Sequence, residues 1–311
     1  KMERESWKKW MKSCTLCPRN CKVNRLEGKR GVCGVTGQIQ AARAALHFWE
    51  EPCISGERGS GAVFFSGCSM GCVFCQNETI SHGKTGEEIS VENLAEIFLR
   101  LQNQENAHNI NLVTPTHYVP QIAEALQTAK EKGLVIPIVY NSSSYEKRET
   151  LKMLEGLIDI YLPDFKYMNS QISERYSHAA DYSFWAKQAL EEMVRQIPQA
   201  QFDDSGMMKK GVIVRHLLLP GCRKDSKEVL RYLRETYGNQ IYISLMNQYT
   251  PMPGIAKYPE LNRKITAREY EWMIDYALEL GIENGFVQEG ETAKESFIPA
   301  FDGEGILPAR K

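Results

Sequence analysis

The chain has no apolar run approaching the roughly 20 residues that a membrane-spanning helix requires. Its first ten residues, KMERESWKKW, contain no apolar stretch of the kind that marks a secretory signal, so a cytoplasmic protein is expected. Charge of one sign is also missing. Lys and Arg number 38 against 39 Asp and Glu, for a formal net charge of −1. That balance removes the electrostatic case for nucleic acid or an anionic membrane as partner. No low-complexity tract or internal repeat is evident, and 311 residues suit one large domain, alone or with a small appendage. The cysteines are not those of a secreted disulfide scaffold, which is a property of short chains. Seven of the nine fall in two tight groups, a pattern that points to metal binding in a reducing compartment.

The denser group lies in AVFFSGCSMGCVFCQN, residues 62–77. An apolar run breaks at Ser66-Gly67 into a loop carrying Cys68, Cys72 and Cys75, spaced C-x3-C-x2-C. Gly67 and Gly71 let the backbone curl, so three thiols can face one inorganic centre. Four cysteines would close a four-iron cluster, whereas three leave one iron free for an external ligand. The competing readings are a zinc knuckle and plain buried thiols. Zinc normally takes a fourth ligand and paired C-x2-C knuckles, and a strand-then-loop context suits neither.

C-x3-C-x2-C with an aromatic residue, Phe74, before the third cysteine resembles the signature of the radical S-adenosylmethionine (radical SAM) enzymes. The resemblance implies a [4Fe–4S] cluster on Cys68, Cys72 and Cys75, with SAM chelated to the open iron. It further implies one-electron cleavage of SAM to a 5′-deoxyadenosyl radical that abstracts a substrate hydrogen. Phe74 and Asn77 would then lie beside the cofactor.

The second group is Cys14, Cys17, Cys21 and Cys33, spaced C-x2-C-x3-C-x11-C in a segment almost without apolar residues. Such a segment cannot fold by burial, so a metal is expected to organise it. Four thiolates suit a structural zinc or an auxiliary iron–sulfur cluster, and the reading stays open between them. Cys17-Pro18 favours iron and Val32-Cys33-Gly34 favours zinc. Cys53 and Cys222 stand alone and read as ordinary thiols.

From residue 62 onward, short apolar runs alternate with helical patterns. Strands are expected at 62–65, 109–113, 136–140, 158–162, 212–219 and 241–245, with a last short one at 286–287. Helices are expected at 91–104, 119–132, 147–157, 182–196, 226–237 and 266–280, and a loop at 197–211. The alternation predicts an α/β protein of parallel βα units. A doubly wound sheet fits nearly as well, and the resemblance tips the choice to a partial (β/α)6 radical SAM barrel. The expected division is a four-cysteine metal-binding segment at 1–36, a lead-in at 37–61, and a core domain from 62 to 311 with a C-terminal extension.

In folds of this class the chemistry sits at the C-terminal ends of the strands. Polar residues collect there: Thr114, Thr116 and His117; Asn141, Ser142 and Ser143; Asp164 and Lys166; Arg215 and His216; Met246, Asn247 and Gln248; Gln288, Glu289 and Gly290. Thr114, Thr116, His117, Asn141, Ser143, Met246 and Gln248 are candidates to bind SAM. PDFKY at 163–167 and VRHLLLPG at 214–221, with CTLCPRNC, NLVTPTHY, SLMNQYTP and GFVQEG, resemble the pyruvate formate-lyase activating enzyme-like branch over nearly the whole chain. That resemblance implies Asp164 and Lys166 near SAM and the substrate, and Arg215 near the SAM carboxylate. It also implies a flavodoxin- or ferredoxin-type reductant and a glycyl radical enzyme as partner. One departure is clear. Activating enzymes carry Gly-Gly-Glu-Pro after the second strand, and here TPTHY takes that place. The alternative is a radical SAM oxidoreductase acting on a small molecule or another macromolecule, and after it an iron–sulfur electron carrier.

Overall fold

The computed structural model describes residues 6–83, 85–288 and 298–306. The described strands are β1 (Ile39–His47), β2 (Ser60–Phe65), β3 (Glu87–Ile89), β4 (Ile110–Val113), β5 (Ile138–Ser142), β6 (Ile160–Pro163), β7 (Gln201–Phe202), β8 (Met208–Leu217), β9 (Tyr242–Met246) and β10 (Gly285–Val287). They form one sheet in the order β10-β9-β8-β6-β5-β4-β2-β1-β3, with β7 paired to β8. The seven strands β2, β4, β5, β6, β8, β9 and β10 run parallel and correspond to the seven expected apolar runs. The sheet ends at β3 and β10 and does not close, an α/β architecture consistent with a partial radical SAM barrel.

The parallel strands read as continuous apolar runs because both faces are covered. All six residues of β2 and all four of β4 and β6 are buried. Alternate residues divide between two sides. Ile138, Tyr140, Tyr161, Val212 and Val214 pack outward beneath the helices. Val139, Ile160, Leu162 and Ile213 point inward and meet Cys53 and Ile54 of the short helix Pro52–Ser55, which plugs the concave face. The covering helices obey their sequence signals. Val91–Asn103 begins at Ser90, whose hydroxyl accepts from the Asn93 amide at 3.1 Å, and buries Leu94, Ile97, Phe98 and Leu101. Ala267–Glu279 begins with a capping box between Thr266 and Glu269.

Three expectations are corrected. The lead-in at 37–61 contains a strand where none was expected: Ile39–His47 pairs antiparallel with β2 and β3, and β2 itself begins at Ser60. Its alanines fit because Ala41 and Ala44 lie fully buried opposite Phe65 and Val63, where a larger side chain would have no room. The expected loop at 197–211 contains a hairpin, β7 to β8, turned by Asp203, whose carboxylate accepts from the Ser205 and Met207 amides. The helix expected at 147–157 covers only Arg148–Lys152. Glu289 and Gly290 lie outside the described residues. No helix among the described residues is long and apolar enough to cross a membrane.

Candidate active site

The inward face of the sheet and the plug enclose a cavity of about 620 Å³. Cys68, Cys72 and Cys75 line it, together with Phe74, Asn77, Thr114, Asn141, Ser143, Asp164, Lys166, Arg215, Met246 and Gln248. Ten of these are contributed by loops past strand ends and three, Asn141, Arg215 and Met246, by the C-terminal parts of strands themselves, so the rim is built from six different strands. Thr114 has φ of 59°, a left-handed conformation that a β-branched residue adopts only under constraint from its surroundings. Its amide donates to the Asn141 carbonyl at 2.9 Å, which fixes the kink where β4 opens into the cavity.

Thr116 and His117 lie apart from the other candidates. Neither is among the cavity-lining residues. After the kink at Thr114, a tight turn over Thr116–Tyr118 swings both side chains away from it. Thr116 donates to the Glu146 carboxylate at 3.0 Å, and His117 Nε2 bonds the Ser66 carbonyl at 2.8 Å beneath the cysteine loop. His216 likewise bonds the Phe165 carbonyl through Nδ1 at 2.7 Å, outside the cavity.

The cavity floor is ionic. Asp164 accepts from Lys166 Nζ at 2.7 Å and from Arg215 Nε at 3.1 Å. Arg215 also donates to Glu50 at 2.9 Å and to Asn141 Oδ1 at 2.6 Å. Burial pushes the Asp164 carboxyl up, but Lys166 and Arg215 outweigh it and hold the group below its usual range. Burial opposes the Lys166 charge too, yet Asp164 and then the Cys72 thiol outweigh it and hold its pKa above the usual value.

Two functional candidates were missed by sequence reasoning. Glu50 and Glu51 precede the plug helix and enter the cavity from the β1 side of the fold. Glu50 accepts from Asn111 Nδ2 at 2.8 Å and pairs with Arg215. Glu51 is 7% exposed, and its Oε2 has no hydrogen-bonding partner among the described residues. Burial pushes its carboxyl up, against the pull of Arg215. The available signal was HFWEEP itself, two acids set in an apolar, aromatic patch and held by a following proline.

The cysteine loop suits a thiolate-bound centre. Gly71 stands at φ 65° with open space around it, and Gly67 at φ 91° lies where a Cβ would come within 2.6 Å of the Cys33 carbonyl oxygen. Two donors already serve the sulfurs: the Met70 amide to Cys68 at 3.4 Å and the Ser177 hydroxyl to Cys72 at 2.9 Å. Cys75 is pushed up to about 12, first by burial and then by the neighbouring Cys68 and Cys72 thiols. These thiols must therefore lose protons together with binding a positive centre.

A family model described as the radical SAM superfamily matches residues 62–221, half of the chain. This chain belongs to the radical SAM superfamily. It is 29% identical over 276 residues to an uncharacterized protein of Methanocaldococcus jannaschii, covering 86% of this chain and 74% of that protein. The fold of this radical SAM protein resembles methylornithine synthase (PylB), with a TM-score of 0.52 at 15% identity, over 87% of this chain and 74% of the other. It also resembles Streptococcus suis SuiB bound to S-adenosylmethionine, with a TM-score of 0.51 at 16% identity, over 72% of this chain and 49% of SuiB. Family membership carries a [4Fe–4S] cluster, SAM as cosubstrate, and cleavage of SAM by a radical mechanism.

The four N-terminal cysteines lie in a segment of their own. Cys14, Cys17 and Cys33 are buried and Cys21 is partly exposed. Cys17 is pushed up to about 12, chiefly by burial, and each of the other three thiols adds to that rise. The chain wraps them tightly: Asn20 and Lys22, on either side of Cys21, are both left-handed, and Cys14 pairs through its backbone with Lys22 and Val23. Among the described residues, no three His, Cys, Asp or Glu side chains converge to hold one metal ion.

Proposed function

We propose that this chain is a radical SAM oxidoreductase whose 5′-deoxyadenosyl radical takes a hydrogen atom from a small polar substrate seated on the ionic floor of the cavity. In this reading Cys68, Cys72 and Cys75 hold the [4Fe–4S] cluster, and Phe74, Asn77, Thr114, Asn141, Ser143, Met246 and Gln248 surround SAM. The bound cluster supplies the electron that splits SAM. The remaining work belongs to this chain's own side chains. Asp164 and Lys166 hold the substrate beside the cysteine loop. Arg215 differs from the role its resemblance implies: two carboxylates and an amide already occupy its guanidinium, so it orders the floor and leaves the SAM carboxylate to others. The plug and the half-exposed aromatic residues Phe48 and Trp49 line the cavity beside the floor.

The observation that carries this reading is Glu51, a buried carboxyl group beside Ser244 that lines the cavity and has one oxygen without a partner among the described residues. A buried acceptor of that kind is satisfied by a donor on the substrate, such as an amine or hydroxyl. The test is to add cell extract, split by ultrafiltration, to reduced protein and SAM, and to measure 5′-deoxyadenosine. The small-molecule filtrate should stimulate its formation; stimulation by the protein fraction alone would contradict the proposal.

A second reading, activation of a glycyl radical enzyme, is favoured by the PDFKY and VRHLLLPG stretches. It predicts a glycyl radical signal by electron paramagnetic resonance when a glycyl radical enzyme is added, with a flavodoxin or ferredoxin as reductant.

A further inference from the structure

Besides its cysteines, the cavity is lined by six side chains able to carry charge: Glu50, Glu51 and Asp164, with His47, Lys166 and Arg215. His47 is neutral, pushed down to about 4 by burial and then by Arg215 and Arg43. Three carboxyl groups therefore meet two lasting cations, and those two are already shared out. Lys166 pairs with Asp164, and Arg215 with both Asp164 and Glu50. Glu51 is left over, and its Oε2 has no hydrogen-bond partner among the described residues.

Asp164 and Glu51 share one cavity and differ in what stands beside them. Asp164 is buried, yet Lys166 and Arg215 hold it below its usual range. Burial pushes Glu51 up, Arg215 opposes that while engaged with other acceptors, and Glu50 adds to the rise. A positive charge placed next to a buried acid favours its ionised form. Lys166 supplies that charge to Asp164, and nothing equivalent serves Glu51. Because Glu51 lines the cavity, a ligand in the cavity can supply it.

The neighbours of Glu51 are apolar. Phe48 and Trp49, each 48% exposed, precede it in the chain and line the same cavity. Across from them, Ser244 of β9 stands beside Glu51, and β10 sets Phe286 in register with Ser244. In-register neighbours point to one face of a sheet, so Phe286 joins Ser244 on the cavity side. Its ring is held by stacking on Tyr242, with centroids 5.7 Å apart. A bare ammonium ion would satisfy Glu51 and leave these rings wet. A plain hydrocarbon would cover the rings and leave a buried acid without its counter-charge.

We infer that the substrate is an amphipathic amine: an ammonium group that donates to Glu51, carried on an aromatic or alkyl body that lies against Phe48, Trp49 and Phe286. The inference rests on the reading of this cavity as a small-molecule site and names the class of molecule it takes.

The test is isothermal titration of the anaerobically reconstituted full-length chain, saturated with SAM, using 2-phenylethylamine as probe. The amine should bind, and 3-phenylpropanoate, which puts a carboxylate in place of the ammonium, should bind at least about tenfold more weakly. Glu51→Gln, nearly the same shape without the charge, should lose about tenfold in affinity for the amine and keep its affinity for SAM. Phe286→Ala should weaken the amine about threefold or more by removing apolar contact. No binding of the amine, equal binding of amine and acid, or unchanged amine affinity in Glu51→Gln would overturn the inference. So would a Glu51→Gln variant with wild-type circular dichroism that loses SAM instead, since the acid would then belong to SAM. In the ultrafiltration assay, the stimulating component of the filtrate should be retained by a cation exchanger at pH 7. A stimulating component held by an anion exchanger instead would overturn the amine and leave the small-molecule reading standing. Stimulation by the protein fraction alone would count against that reading, and the titration would still decide whether Glu51 takes an amine.

Discussion

The two cysteine regions differ in how the fold treats their sulfurs. Cys68, Cys72 and Cys75 face a cavity with an ionic floor, and hydrogen-bond donors reach two of the three sulfurs. The N-terminal four are wrapped by backbone, with Arg25 buried beside them and cations outside. One arrangement turns its sulfurs to a cavity; the other wraps backbone around them and leaves Cys21 as the one of the four that is partly exposed. Three against four cysteines expresses the same division in the sequence.

The largest expected effect breaks one region and spares the other. Cys72→Ala should abolish 5′-deoxyadenosine formation, read by liquid chromatography, while metal stays in the N-terminal segment. Next, Arg25→Gln removes the buried cation beside Cys14. It should lower metal retention there by about 10- to 100-fold in chelator competition and leave the cysteine loop loaded. Third, Asp164→Asn breaks two partly buried ion pairs of the cavity floor and should cost about 3 kcal/mol in urea denaturation. The N-terminal segment has no matching ion-pair network among its described residues. A pH effect comes fourth. Burial holds His117 down to about 3 and His216 to about 4, so both stay neutral in the folded chain. The unfolded chain takes up protons first as pH falls below about 6.5, and stability should drop from there toward pH 4. His117→Gln should reduce that slope, because it removes one of the buried groups that takes up a proton on unfolding. The smallest effect is Ser177→Ala. Losing the hydrogen bond to Cys72 should lower the reduction potential of the loop cluster modestly, in a redox titration followed by electron paramagnetic resonance.

The parallel sheet was legible because strands buried on both faces are dominated by apolar residues, as INLV is apart from Asn111, and as IVY and IYLP are throughout. The cavity rim was legible for a related reason: a polar residue just past such a run is placed at the strand end by chain connectivity alone. That logic located Asp164, Lys166 and Asn141 in the cavity. It misplaced Thr116 and His117, because the left-handed turn at Thr114 redirects the chain and nothing local in TPTHY announces it. Glu50 and Glu51 escaped because their neighbours are remote in sequence: Glu50 meets Arg215 across 165 positions. Strand β1 was hidden by its alanines, which favour helix locally and fit a strand only opposite Phe65 and Val63.

The central claim, an iron left open by three cysteines, is tested most directly by Mössbauer spectroscopy of the 57Fe-loaded Cys17→Ala variant, which keeps any iron on the N-terminal cysteines from contributing. Adding SAM should change the spectrum of about one iron in four, the one without a thiolate. Four irons whose spectra ignore SAM would contradict the claim.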